Sequence, residues 1–275
     1  MPDNLIVETR NGVGIVLLNR PEIRNAFDDA LIANLTKTLK ALEKDRGVRV
    51  VVLGGAGPAF CAGADLNWMK RMAKYTYAQN LKDARALAEM LKTLDRLSKP
   101  TIARVHGHAF AGGTGLVAAC DIAVGVPEAE FCLSEAKLGL SPATISPYVI
   151  RAMGERMARR YFLTAERFSA AEAYRIGLLS ELVLPDELDP KINELCGHVV
   201  QGGAEALAKI KDLIAAASRG GPVTDKLIDD TAKRIAEIRT SKEGREGIGA
   251  FLEKRRPAWF PGEDGKPAAA KKKRA

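Results

Sequence analysis

Apolar positions in the first half of the chain follow two periods. Val13 to Leu18, after Asn11-Gly12, and Val48 to Leu53, ended by Gly54-Gly55, are aliphatic and β-branched runs that read as buried strands. Between them Leu31, Leu35, Leu39 and Leu42 recur at helical spacing behind Asp28 and Asp29, whose charges suit a helix N-terminus. A longer helix is predicted from about Leu81 to Leu97, with Ala84, Leu87, Leu91 and Leu94 on one side and Pro100 stopping it. Ile102 to Val105 and Ile122 to Val126 read as further strands, joined by a short helix over a glycine stretch and Leu116 to Cys120. From about Met153 the pattern changes to helices only: Glu155 to Leu163, Ala170 to Ile176, Leu188 to Val200, Ala204 to Ala217, Thr224 to Arg239 and Glu243 to Arg255. Ile248, Phe251 and Leu252 make an apolar stripe on the last. This segregation predicts a mixed α/β core followed by a helical C-terminal part, whose two-sided apolar helices point to contact with another subunit. No convincing sequence repeat is present.

Composition narrows the function classes. At 275 residues, with 47% hydrophobic and 28% charged, the chain can bury a substantial core. Its formal charge of +8 hints at nucleic acid, but the tail from Pro261 carries Lys266, Lys271, Lys272, Lys273 and Arg274 against Glu263 and Asp264. The remainder has an ordinary excess. That tail is read as disordered and solvated, with nonspecific RNA binding through it as the alternative. Cys61, Cys120, Cys132 and Cys196 form no CxxC pair and have no histidine at zinc spacing, so no metal is assigned and reduced thiols are expected. Met1 to Arg10 has neither signal-peptide nor transit-peptide character, and no run approaches the length of a membrane span. A cytoplasmic protein is the expectation.

Two glycine-bearing stretches carry the candidate chemistry. Phe60 to Leu66 reads FCAGADL, and Asp65 is placed to cap a helix beginning LNWM. Phe110 to Leu116 reads FAGGTGL and opens a helix whose first N–H groups lack intrahelical partners, where the helix dipole favours negative charge. Either stretch alone reads as a tight turn. His106 and His108 have no triad or metal partner apparent in the sequence and are read as structural. Asp121 is read as holding the end of an element.

Together with their flanks these stretches become specific. LNRPEIRNAF at Leu18 to Phe27, AFCAGADL at Ala59 to Leu66, the segment His106 to Asp121 ending AACD, and FCLSEAKLGL at Phe131 to Leu140 resemble the enoyl-CoA hydratase/isomerase, or crotonase, superfamily in order and spacing. The resemblance covers roughly residues 5 to 257. It implies an α/β fold, a crotonase-like spiral of ββα units with a C-terminal helical oligomerisation region. Residues 1–200 would form the core with the CoA-thioester site, 201–260 the oligomerisation region and 261–275 the basic tail. A homotrimer or dimer of trimers is implied, with an acyl-CoA substrate, no membrane partner and no tightly bound cofactor; coenzyme A enters as part of the thioester.

The resemblance also implies roles. Ala64 and Gly112 would give the backbone N–H groups of an oxyanion hole, Glu135 would be the catalytic glutamate, and Ala62, Asp65 and Leu66 would line the CoA-binding loop. Two-glutamate hydratases of the family carry a glutamate where this chain has Gly115. A second departure is Ser141-Pro142-Ala143-Thr144-Ile145 in place of a glycine-rich turn. FCAGADLNWMKRMA, AGGTGLVAACDIAVG and SEAKLGLSPATISPYVIRAMGERMARRYFLTAERF resemble bacterial 3-methylglutaconyl-CoA and isohexenylglutaconyl-CoA hydratases, the former from leucine breakdown. Such substrates carry a second carboxylate, for which Lys70, Arg71 and Tyr148 are candidate acyl-end groups. Trp68 either walls that pocket or packs. A single-glutamate isomerase is the nearest alternative.

Overall fold

The computed structural model describes residues 4–218 and 221–260. The tail expected at 261–275, and with it the RNA-binding alternative, lies outside the described residues.

The chain opens on a hairpin of β1 (Leu5–Arg10) and β2 (Val13–Leu18). β2 has the bounds its apolar run predicts. β1 escapes prediction because it becomes exposed along its length and shows no sustained alternation. α1 (Asp29–Lys44) follows, its N-terminus capped where the Asp28 carboxylate accepts the Leu31 N–H at 2.9 Å. Its leucine stripe, with Ile32, is buried. β3 (Val50–Gly55) is covered on both faces, as a central parallel strand requires. After α2 (Leu66–Met72) comes α3 (Tyr77–Asp95), which starts before the predicted Leu81 because Thr76 and Gln79 make a reciprocal capping box.

The next segment alternates between two sheets. β4 (Thr101–Val105) leads to β5 (Ala109–Phe110) and α4 (Gly112–Ala119), then β6 (Ile122–Gly125) leads to β7 (Glu130–Cys132) and α5 (Ser146–Thr164). β8 (Arg167–Ser169), α6 (Ala170–Arg175) and β9 (Glu181–Leu182) complete the two sheets. The larger sheet has the order β1-β2-β3-β4-β6-β9, parallel beyond the first hairpin. The smaller has the order β5-β7-β8. Isolated parallel bridges, Cys61 with Ala109 and Phe27 with Ala64, continue the small sheet's pairing into the loops after β3 and β2. Each turn of the chain thus lays a strand in the large sheet, pairs briefly in or beside the small one, and returns through a helix. This is the ββα spiral.

The helices-only expectation after Met153 is corrected by β8 and β9. Both are too short to show a period, and only their sheet partners make them strands. α5 begins at Ser146, and its second half starts where the sequence suggests because Gly154, at φ 76°, interrupts it. α7 (Leu188–Gln201), α8 (Ala204–Ala217), α9 (Asp225–Thr240) and α10 (Lys242–Leu252) form the helical end. α8 and α9 bury none of their residues fully, so this end lies at the periphery. Lys211 of α8 pairs with Asp121 at 2.6 Å, and Asp121 also accepts the Thr101 N–H and hydroxyl. Asp121 therefore does the structural work expected of it.

Candidate active site

The loop after β3 is shaped by the loop after β2. Asn25, fully buried, donates to the carbonyls of Ala56 and Ala59 at 2.8 and 2.7 Å and accepts the Arg20 N–H at 2.9 Å. Arg20 in turn donates to the Ala26 carbonyl and pairs with Asp65 and Asp28 at 2.9 and 3.0 Å. The other Asp65 oxygen accepts the N–H groups of Asn67 and Trp68, capping α2. Burial works to raise the Asp65 carboxyl, but those two N–H groups and the Arg20 guanidinium outweigh it and hold it below its ordinary value.

Ala64 lies inside this frame. Phe27 donates its N–H to the Gly63 carbonyl and accepts from the Asp65 N–H, at 2.8 and 2.9 Å. In such a parallel bridge the intervening residue turns its own amide to the opposite side, so the Ala64 N–H faces away from the Phe27 backbone. Gly63, at φ 92°, lies against the next loop: a Cβ there would stand 3.1 Å from the Phe110 carbonyl oxygen and 3.2 Å from Ala111 Cβ. The two glycine stretches are therefore in contact.

Gly112 is the first residue of α4, and its N–H has no intrahelical acceptor. A Cβ on Gly112 would overlap the Phe27 ring, 2.6 Å from Cε1, so only glycine lets the helix start this close. Phe27 thus touches both stretches, one through its backbone and the other through its ring. Ala111, which precedes α4, donates to the Cys132 carbonyl at 2.7 Å. Glu135 follows Cys132 by three positions, in the 3-10 turn Ser134–Leu138, so the strand that anchors the start of α4 also carries the glutamate. Its Oε2 is buried with no hydrogen-bond partner among the described residues, and burial pushes the carboxyl above its ordinary value. A half-buried carboxyl with an unmatched oxygen is suited to exchanging protons.

The sequence matches a known family along nearly the whole chain: the enoyl-CoA hydratase/isomerase profile fits residues 8–261. The chain belongs to the enoyl-CoA hydratase/isomerase family. It is 35% identical over 257 residues to a putative enoyl-CoA hydratase of Thermus thermophilus, covering 92% of this chain and 99% of that one. A crotonyl-CoA hydratase of Syntrophomonas wolfei is 30% identical, over 92% and 96% of the two chains. The crystal structure of an enoyl-CoA hydratase from Shewanella pealeana superposes with a TM-score of 0.90 at 42% identity, covering 93% of this chain and 96% of that one.

Within this family member, the other residues singled out in the sequence are scattered. Ala62 is half-buried and donates to the Arg24 carbonyl, while Leu66 projects outward at 73% exposure on the same loop. Trp68 is buried; its ring lies 6.0 Å from that of Phe27, and its indole N–H donates to Asp83 at 2.8 Å. It packs beside Phe27. Arg71 pairs with Asp29 at 2.6 Å near the start of α1, whereas Tyr148 lies under the Arg151 guanidinium, which pairs with Asp95 at the end of α3. α3 spans roughly 28 Å at 1.5 Å per residue, so Arg71 and Tyr148 do not gather into one cluster. Lys70 is exposed and unpaired among the described residues. His106 donates from Nε2 to the Gly57 carbonyl, 2.8 Å away, and His108 stacks on Phe110, both in structural roles. No metal-holding group of three or more His, Cys, Asp or Glu occurs among the described residues, and none of their helices is long and apolar enough to cross a membrane.

Arg20, Asn25 and Phe27 were absent from the sequence-derived site. Their signal was present in LNRPEIRNAF, but which atoms they hold became visible only with the loops in place.

Proposed function

We propose that this chain is an enoyl-CoA hydratase that adds water to a branched glutaconyl-CoA thioester, of the 3-methylglutaconyl or isohexenylglutaconyl type, in leucine or related branched-chain breakdown. The observation that carries the reading is the half-buried Glu135 carboxyl, whose Oε2 is buried and unmatched among the described residues, in the turn that follows the strand anchoring the Gly112 end of α4. The thioester oxygen would accept the Ala64 and Gly112 N–H groups. Glu135 as carboxylate takes a proton from a bound water while the water oxygen bonds to the β carbon. The π electrons move to form an enolate, whose negative oxygen the two N–H groups hold; each such donor is typically worth ~3 kcal/mol in the transition state. Glu135 then returns its proton to the α carbon and is a carboxylate again. One water has been added on one face, giving the 3-hydroxy thioester.

The relatives named as hydratases support the reaction class, and the exposed cation of Lys70 offers a partner for a distal carboxylate. The single carboxyl also suits an isomerase, in which Glu135 carries a proton between the α and γ carbons of a 3-enoyl thioester. The exposed Ile210, Ile214, Ile228, Ile235, Ile248, Phe251 and Leu252 of the helical end suit a trimer or dimer of trimers. Steady-state assays with methylglutaconyl, isohexenylglutaconyl, crotonyl and 3-enoyl thioesters test the proposal. The expected result is loss of enoyl absorbance with water incorporation and the highest kcat/KM on a branched glutaconyl ester. Glu135→Gln should lower kcat roughly 10²–10⁴-fold with ester binding preserved. Undiminished turnover in that variant refutes the assignment.

A further inference from the structure

We propose that Ile145 is the residue that restricts this site to a single carboxyl group: its side chain fills the space beside Gly115 from which a second acid–base side chain would have to act. The inference rests on the reading of Glu135 as the acid–base group and deepens it.

The two residues meet directly. A Cβ built on Gly115 would overlap Ile145 Cγ2 and stand 2.7 Å from Ile145 Cβ. Ile145 is 2% exposed and stands at the N-cap of α5, where its carbonyl accepts the Tyr148 and Val149 N–H groups, both at 3.1 Å. The Ser146 N–H, bound to the Pro142 carbonyl at 3.0 Å, fixes the approach from the other side. A β-branched side chain on so fixed a backbone has little rotamer freedom to retreat.

Position 115 matters because of where its side chain would lie. Gly112 and Gly115 are three apart on α4 and share a face, and helical side chains lean over the turn N-terminal to their own Cα. A carboxyl at 115 would therefore lean toward the free N–H of Gly112. Here that room is hydrocarbon. Both proton transfers consequently fall to Glu135, and the Gly115 and Ser141-to-Ile145 departures from the family pattern, separate in sequence, are one contact.

The test is a volume exchange using Gly115→Glu, Ile145→Gly and the double variant; glycine is tolerated at an N-cap. Gly115→Glu alone should melt below the parent and lose at least ~100-fold in crotonyl-CoA kcat/KM, as displaced catalytic geometry does. The double variant should regain most of the melting temperature and at least ~10-fold of that activity, the low end of what one acid–base group supplies. Its pH–rate profile should gain an inflection that the parent lacks. A Gly115→Glu protein as stable as the parent overturns the proposal. So does a double variant no better than Gly115→Glu alone in melting and activity. If neither glutamate-bearing protein folds, melts of Gly115→Ala and Gly115→Ala with Ile145→Gly decide: rescue of the first by the second supports the contact, and additive losses overturn it. Failure of the hydratase reading is distinguishable, since it appears as full turnover in Glu135→Gln and leaves the melting data untouched.

Discussion

Glu135, the proposed acid–base group, shows what a half-buried carboxyl costs the fold. Burial holds its pKa above the ordinary 4.5, so the folded chain binds that proton more tightly than the unfolded chain does. With the folded value the higher of the two, the charged form opposes folding at neutral pH. That penalty shrinks as pH falls through the folded pKa and is gone below 4.5. Glu135→Gln should therefore melt higher than the parent at neutral pH, with the difference vanishing in acid, while activity is lost. Thermal melts across pH check this, and a variant less stable than the parent at neutral pH contradicts it. The four cysteines lie at the other extreme: all are free, and burial raises the thiols of Cys61 and Cys120 to about 12, so they stay protonated and inert.

At the scale of elements, the site depends on one loop stitching another. Asn25 joins the loop after β2 to the loop after β3 through two hydrogen bonds and holds its own loop through a third, from a left-handed backbone position at φ 57° that asparagine tolerates. Asn25→Ala leaves two carbonyls and one N–H without partners and should cost about 3 kcal/mol. Denaturant titration measures that loss, and kcat should fall with it because the Ala64 N–H loses its support. A second joint ties the helical end to itself: Glu243 at the start of α10 accepts the N–H groups of Glu205 and Ala206 at the start of α8, at 3.1 and 2.8 Å. Glu243→Ala should remove about 1 kcal/mol of capping and dipole stabilisation. Amide exchange should quicken first in α8, with the β3 and β4 amides unchanged.

For the whole molecule, the helical end turns Phe251 and Leu252 outward at 81% and 73% exposure, a large apolar surface for a lone chain. Under the proposed trimeric assembly these residues lie in an interface between copies. Phe251→Asp with Leu252→Asp should then shift the sedimenting species to the mass of a single chain. Unchanged sedimentation would place the interface elsewhere.

The sequence by itself determined the long elements and the family. β2, α1 and α8 were legible because each is long enough for its period to show and follows a glycine or a capping residue, and β3 was legible as an unbroken aliphatic run, though it spans Val50–Gly55 and takes in the two glycines expected to end it. Ala64, Gly112 and Glu135 came forward as the proposed site only through the resemblance of their motifs to the family. The alternation of the chain between two sheets was decided by the tertiary structure alone. The small sheet is made of two- and three-residue strands and single bridges, which exist only when distant segments meet. The same is true of Phe27 beneath Gly112, Asn25 across two loops and Ile145 against Gly115: each is a contact between segments far apart in the chain, and no local period encodes it.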